Sequence, residues 1–199
     1  MNTYSTDRAF TDYVHEHLAL PQIYEPMGWC QQWMPEPLQK LLDLEEGVDY
    51  LMEDKRGKAL RVQERFRDSY AKDYTDCTLR YRRDQNAHEE RRASEFFKIQ
   101  ADYLLYGITN GSKFADKRAT LTGFLKYAVV DLRVLMQAVQ AGQIILQAGG
   151  LQSRIEGDKM IAPIIPNRDP SSTFVAFDVL QLRQLFDGEG IILAQQGYW

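Results

Sequence analysis

The order of apolar and polar positions predicts two helices in the first part of the chain. In Asp7–Leu20 the apolar face recurs every three or four residues, which is the period of an amphipathic α-helix. Its members are Phe10, Tyr13, Val14, His17 and Leu18. A second helix is predicted over Leu38–Glu46, because two prolines stand just before it and Gly47 follows it. We expect this helical N-terminal part, residues 1–46, to pack on the core.

In the middle of the chain the pattern becomes that of strands. In Val48–Glu53 and Ala59–Arg67 the residues alternate between apolar and polar, and the turn between the two segments contains Gly57. This pattern predicts a β-hairpin. A third strand, Cys77–Arg83, is predicted after a short polar loop.

From residue 86 onwards helix and strand patterns alternate, beginning with a predicted helix over His88–Ile99. Asp131 and Asp178 each stand between a strand and a helix, where a carboxylate can cap the helix N-terminus. The other predicted elements are Ala101–Ile108, Lys126–Val130, Leu132–Ala141, Thr173–Phe177 and Val179–Phe186. Residues 1–199 are therefore predicted to form a single α/β domain with a mixed sheet.

Composition narrows the class of protein without indicating its function. The chain has 199 residues, of which 44% are hydrophobic and 26% charged, so it can bury a core. The net charge of −4 creates no general attraction for nucleic acid. The apolar runs are too short to span a bilayer and no signal peptide opens the chain, so we expect no membrane partner and a cytoplasmic location. Two cysteines cannot form a disulfide framework or a four-ligand zinc site.

The second strand of the hairpin contains a charged residue on its apolar side. Because side chains alternate along a strand, Glu64 shares a side with Leu60, Val62 and Phe66. Burial of a lone carboxylate costs several kcal/mol, about 2–7 kcal/mol for a polar group in general. A metal ion, a cationic partner or a position at the open end of the strand would explain Glu64. The alternative is an edge strand with a solvated carboxylate.

The order of these features resembles the PD-(D/E)xK, restriction-endonuclease-like superfamily of nucleases. In that family a helix bearing a Glu precedes an Asp, and a short turn leads to a strand with an acid or Gln, any residue, and a base. Here the matching segments are Asp7–Leu20, Gly47–Leu51 and Arg61–Arg67, followed by the later strand and helix alternation. The resemblance implies a three-layer α/β/α fold with a mixed central sheet. It also implies a phosphodiesterase that acts on DNA with Mg²⁺ or Mn²⁺.

The resemblance assigns roles residue by residue. Asp49 matches the first acid, and Gln63 or Glu64 the second, so that Asp49 and Glu64 would hold the metal. Arg65 stands where the family usually has Lys and would face the scissile phosphate. Glu16 matches an additional Glu on the first helix. Oxygen ligands of this kind select Mg²⁺ or Mn²⁺ over zinc.

Two departures from the family motif favour an alternative function. Gln63 in place of a carboxylate removes a negative charge from a cation site. Arg65 in place of Lys can stabilise charge but cannot serve as a base. A catalytically inactive relative that binds DNA or serves in assembly is therefore the second hypothesis. A structural or small-molecule role, in which the hairpin acids are incidental, is the third.

Residues 55–98 hold more than half of the Lys and Arg of the chain. Together with Arg65, a basic face beside the candidate site would position a phosphate backbone without reading its sequence. The residues assigned to this face are Arg61, Arg67, Arg80 and Arg82. Acids are interleaved with them, so a salt-bridged surface is an equally open interpretation.

Histidine and tryptophan residues are interpreted as structural. His15 and His17 are two residues apart on a helix, so they point in different directions and cannot share a metal by local geometry. Trp29, Trp33 and Trp199 are interpreted as packing or interface residues, not as platforms for nucleobases. The aromatic pair at the end of the chain would dock on the domain or on a second copy, which keeps a homodimer open.

Overall fold

The computed structural model describes residues 3–82, 95–167, 172–186, 188 and 190–199. The chain begins with α1, continues without a break into a π-helix, and ends this segment with a short α2. The helices are α1 (Thr3–Val14), the π-helix (His15–Tyr24), α2 (Glu25–Met27), α3 (Glu36–Glu46), α4 (Glu95–Lys98), α5 (Leu132–Gln140) and α6 (Val179–Phe186). Two 3₁₀ turns cover Ser69–Ala71 and Ala115–Thr120.

Eleven strands are present in the described part of the chain, divided between two mixed sheets. In chain order they are β1 (Cys30–Gln31), β2 (Tyr50–Glu53), β3 (Ala59–Arg67), β4 (Asp76–Arg82), β5 (Tyr103–Thr109), β6 (Phe124–Asp131), β7 (Ile144–Ala148), β8 (Arg154–Glu156), β9 (Lys159–Pro166), β10 (Thr173–Asp178) and β11 (Ile192–Gln196).

The first sheet has the order β1-β2-β3-β5-β6-β11. The predicted hairpin is confirmed, because β2 and β3 pair antiparallel with Tyr50 opposite Val62. β3 pairs parallel with β5, and the register places Glu64 beside Leu105. β3 is therefore an interior strand, and the alternative of an edge strand with a solvated Glu64 is wrong.

The second sheet has the order β4-β10-β9-β7, with β8 paired to β9. β4 follows the β2–β3 hairpin in sequence but does not pair with it. Instead it pairs antiparallel with β10, which lies far along the chain. β9 and β7 pair parallel across the segment that contains β8. The alternating pattern predicted one mixed sheet, and the structure has two because the partner of each strand is chosen by long-range packing.

Two hydrophobic cores lie on the two faces of the first sheet. The inter-sheet core lies between the two sheets and includes Leu104, Tyr106, Leu79 and Phe177. The helix-side core lies between the first sheet and the N-terminal helices. Its members include Phe10, Val14, Ile23, Val62 and Leu105. The N-terminal helices therefore cover the face of the first sheet that carries Glu64.

Several local predictions match the structure closely. Asp131 caps α5, because its Oδ1 accepts hydrogen bonds from the N–H groups of Arg133 and Val134. Asp178 accepts from the N–H of Gln181 at 2.9 Å and so caps α6. Of the predicted helix His88–Ile99, α4 is described, and residues 83–94 lie outside the described ranges. The chain is thus a mixed α/β protein, as predicted.

Across the described helices, none combines the length and apolarity that a bilayer crossing requires.

Candidate functional site

Asp49 lies at the junction between α3 and β2. Gly47 ends α3 with a φ of 61°, a conformation that favours glycine. Two residues later the N–H of Asp49 donates to the carbonyl of Val62 at 2.9 Å, which starts the pairing of β2 with β3. The Asp49 side chain then turns to β3, where its Oδ2 accepts from the N–H of Glu64 at 2.8 Å. This hydrogen bond holds two buried carboxyl residues next to each other.

Glu64 extends from the middle of β3 into the helix-side core. Its Oε1 accepts a hydrogen bond from the hydroxyl of Tyr24 at 2.7 Å and another from Nδ1 of His15 at 2.8 Å. Its Oε2 is buried and has no hydrogen-bond partner among the described residues. Oε1 therefore accepts two hydrogen bonds, whereas Oε2 has no partner in the described part of the chain.

The π-helix explains how His15 and Tyr24 both reach Glu64. The two residues are nine positions apart, which in an α-helix amounts to two and a half turns and places them on opposite sides. The wider i→i+5 winding of a π-helix takes about four and a half residues per turn, so nine positions make about two turns. His15, Ala19 and Tyr24 are accordingly all buried on the side facing the first sheet.

The imidazole of His15 is positioned by a stacking contact on its ring face as well as by the hydrogen bond at Nδ1. It stacks on the ring of Tyr50 with a centroid distance of 3.5 Å. Since Nδ1 donates to Glu64, the neutral ring keeps its lone pair on Nε2. Nε2 is buried, and a hydrogen-bonding interaction with the side chain of Gln31 adds to the rise in the pKa of His15.

Arg8 on α1 is the cation nearest to Asp49. Its guanidinium lies 3.3 Å from Oδ1 of Asp49, 3.4 Å from Oδ2 of Asp43 and 3.0 Å from Oδ1 of Asp12. One arginine is therefore shared by three carboxylates, and negative charge is in excess around it.

The pKa directions agree with that excess of negative charge. Burial raises the pKa of Asp49 from its ordinary 3.8 to about 7. The N–H of Glu64 and the Arg8 guanidinium oppose this rise, while Asp43 and Glu64 add to it. Burial lowers the pKa of His15, but the Glu64 carboxylate outweighs it and leaves that pKa above its ordinary value. Burial raises the pKa of Tyr24 well above its usual range, so its hydroxyl stays a donor.

A cavity of about 700 Å³ opens beside these side chains, between α1, the π-helix and α3. Arg8, His15, Glu16 and Tyr50 are among the residues that line it. Glu16, which the resemblance placed at the site, is exposed on its wall. A smaller cavity of about 280 Å³ adjoins it and shares Tyr50 with it.

Gln63 and Arg65 lie on the other face of β3. Their register partners are Leu104 and Tyr106, which belong to the inter-sheet core. The guanidinium of Arg65 forms an ion pair with Glu95 of α4. Gln63 and Arg65 therefore share a side, as predicted, but the structure does not bring them together with the Glu64 carboxylate.

The arginines predicted to contact DNA have partners within the chain. Arg61 donates from its backbone N–H to Asp102 at 2.8 Å and pairs with the same carboxylate through its side chain at 3.4 Å. Arg67 lies 3.4 Å from the hydroxyl of Thr78. Arg80 and Arg82 are on β4 of the second sheet and also take part in interactions.

Sequence reasoning missed Arg8, His15, Tyr24 and Tyr50 as members of this site. An α-helical period places His15 and Tyr24 on opposite sides of a helix, so it gives no sign that both reach Glu64. No local signal announces the π-helix apart from Pro21, which lies inside it and donates no backbone hydrogen bond.

Over the described ranges, His, Cys, Asp and Glu form no group of three or more that could hold a metal ion. Asp49 and Glu64 thus form a pair of carboxyl groups without a third such ligand in that part of the chain. No family model matches the chain, and no curated protein and no solved structure is significantly similar to it.

Proposed function

We propose that this protein is a phosphodiesterase that cleaves DNA with Mg²⁺ or Mn²⁺, and that it is a divergent restriction-endonuclease-like nuclease. The observation that carries the proposal is the buried pair of Asp49 and Glu64, whose partners Arg8 and His15 line a cavity. Two carboxylates on adjacent strands are the usual means of presenting oxygen ligands to a hard divalent cation.

The residues present fit such a cation in two respects. Oε2 of Glu64 is buried without a partner in the described structure, so it is an available oxygen ligand. The raised pKa of Asp49 reflects uncompensated burial, which a nearby cation would relieve. A bound Mg²⁺ or Mn²⁺ supplies charge neutralisation and polarisation at the phosphoryl oxygens.

The surrounding side chains have their own parts in this proposal. Tyr24 and His15 hold Oε1 of Glu64 and so set the direction in which Oε2 points. Arg8 pairs with Asp49 on the helix side of the first sheet. Once a bound divalent cation offsets the excess of carboxylates around Arg8, its guanidinium takes the role of the cationic side chain near the phosphate. Arg65 is instead held by Glu95, so this proposal gives it a structural role.

The test is cleavage of plasmid and linear DNA with Mg²⁺ or Mn²⁺ by the wild type, Asp49→Asn and Glu64→Gln. We expect each substitution to reduce the cleavage rate by about a hundredfold or more. Glu156→Gln is the matched control, because Glu156 is an exposed acid of the second sheet. Equal cleavage by Asp49→Asn and by the control would contradict the proposal.

A second candidate function is favoured by the position of Gln63 and Arg65. The acid-x-base motif lies on the face of β3 away from Glu64, which is expected if the fold has been kept for binding or assembly without catalysis. This candidate predicts no cleavage with any divalent cation and DNA binding that is unchanged in Asp49→Asn. A calorimetric Mg²⁺ titration of the wild type and of Asp49→Asn separates the nuclease from the inactive binding protein. Only a nuclease site requires the Asp49 carboxylate for cation binding.

A further inference from the structure

The smaller cavity forms a groove at the edge of the first sheet, and Tyr50, the residue after Asp49, is part of its lining. It lies along β1, the edge strand, and the segment that follows it. We name it the amide groove, after the glutamines in its lining, which consists of Gln31, Gln32, Trp33, Met34, Gln39, Tyr50 and Leu51. It adjoins the larger cavity, because Gln31, Gln39 and Tyr50 line both.

The lining of the amide groove is uncharged throughout the described residues. Three glutamine amides provide both hydrogen-bond donors and acceptors, the groups that read the edges of nucleobases. Gln39 is already oriented, because its Nε2 donates to the carbonyl of Asp49 at 3.2 Å and leaves its oxygen free for another donor. The groove therefore suits a neutral, hydrogen-bonding ligand better than it suits a phosphate group.

Trp33 gives the groove an aromatic face. The side chain is 86% exposed, so Trp33 does not pack within the described structure, and its interpretation as an interface residue stays a prediction. An exposed indole beside amide groups is the arrangement on which an unpaired base stacks.

The charged part of the cavity lies on the other side of Tyr50. Arg8 and Lys40 line it together with the acids Asp12, Glu36 and Asp43, to which they are paired. A nucleotide with its base in the amide groove would place its phosphate on this side, toward Arg8 and the carboxylate pair. Base and phosphate sites are thus adjacent and chemically distinct.

A duplex does not present the groups that this groove would hold. Its base faces are stacked on one another, and a protein reaches only base edges in the grooves.

We infer that the amide groove binds an unpaired nucleobase and that the substrate is therefore single-stranded DNA. This inference rests on the proposed phosphodiesterase for what happens to the phosphate, but the binding of the base does not require cleavage.

The test measures binding by fluorescence anisotropy in EDTA, where no divalent cation is present. The probes are a fluorescein-labelled oligothymidylate and the duplex it forms with oligoadenylate. We expect the wild type to bind the single strand about tenfold or more tightly than the duplex, and Trp33→Ala to lose about tenfold in affinity. Trp33→Phe keeps an aromatic face and should retain most of the affinity.

Trp199→Ala is the matched control, because Trp199 is 93% exposed and follows β11 at the opposite edge of the first sheet. Its affinity for the single strand should equal that of the wild type. Equal binding of single strand and duplex, or equal affinities of Trp33→Ala and Trp199→Ala, would overturn the inference.

Cleavage assays keep this inference separate from the proposed function. If cleavage depends on Asp49 but DNA binding does not depend on Trp33, the phosphodiesterase proposal is supported and the proposed base-binding role of the amide groove is contradicted. If DNA binding depends on Trp33 but no DNA is cleaved, the phosphodiesterase proposal is contradicted and the amide groove remains supported as a binding site.

Discussion

At the scale of single residues, the carboxyl groups of this site are buried without enough positive charge nearby to balance them. Asp49 and Glu64 are both buried, yet the nearest cation, Arg8, is shared with Asp12 and Asp43. Burial makes the Asp49 carboxyl easier to keep neutral than charged, and its pKa is raised accordingly. The free energy of unfolding must therefore depend on pH through Asp49.

We predict that the stabilising contribution of Asp49 is lost as pH rises from about 4 to about 7 in EDTA buffer. The pKa of Asp49 is raised by burial to about 7, so the folded state binds a proton that the unfolded state has already lost near its ordinary 3.8. That contribution is fully present below the unfolded pKa and is lost as pH rises through the folded one. A single group changes stability by at most about 1.4 kcal/mol per pH unit.

Asp49→Asn removes this dependence, so its stability relative to the wild type should increase between pH 5 and pH 8. Urea unfolding at the two pH values measures the change. Asp54→Asn is the control, because the N–H groups of Lys58 and Arg56 lower the pKa of Asp54, and its effect should be constant over that range. A constant effect of Asp49→Asn as well would show that Asp49 is ionised throughout.

Among the elements, the π-helix and β3 together determine the geometry around Glu64. The alternation along β3 predicted a carboxylate on the apolar side, and that local prediction is confirmed by its burial. What surrounds the carboxylate depends on the winding of the π-helix, because only that winding brings His15 and Tyr24 to one side. Both donors converge on one oxygen of Glu64.

We predict that Tyr24→Phe lowers the free energy of unfolding by about 2 kcal/mol, since it removes a buried hydrogen bond to a carboxylate. Tyr50→Phe is the matched control, because its hydroxyl bonds the half-exposed Asp12 at 3.2 Å and should cost less than about 1 kcal/mol. Urea unfolding gives both values.

If Tyr24 also sets the direction of Oε2, Tyr24→Phe should weaken Mg²⁺ or Mn²⁺ binding by about tenfold in calorimetry. Tyr50→Phe should leave the cation affinity close to that of the wild type. Equal losses in the two variants would speak against a specific role of Tyr24.

At the scale of the whole molecule, the first sheet is shared by both cores and joins the helical layer to the second sheet. Tyr198, just after β11, is buried in the inter-sheet core, whereas its neighbour Trp199 is 93% exposed. The end of the chain therefore connects the edge of the first sheet to the packing between the two sheets.

We predict that Tyr198→Ala destabilises the protein by about 3 kcal/mol, because it leaves a cavity between the sheets. Trp199→Ala should change stability by less than about 0.5 kcal/mol, as is usual for exposed positions. Thermal unfolding followed by circular dichroism compares the two. Similar midpoints for the two variants would mean that Tyr198 adds little to the joining of the sheets.

The sequence by itself determined the features that depend on neighbouring residues. The β2–β3 hairpin, the caps at Asp131 and Asp178, and the side of β3 that carries Glu64 all follow from turn residues, capping carboxylates and the period of a strand. Only the tertiary structure decided which strands join which sheet and which side chains surround Glu64. His15 and Tyr24 reach it across 49 and 40 residues of chain, and contacts at such separations are selected by the packing of the whole core, which no local pattern encodes.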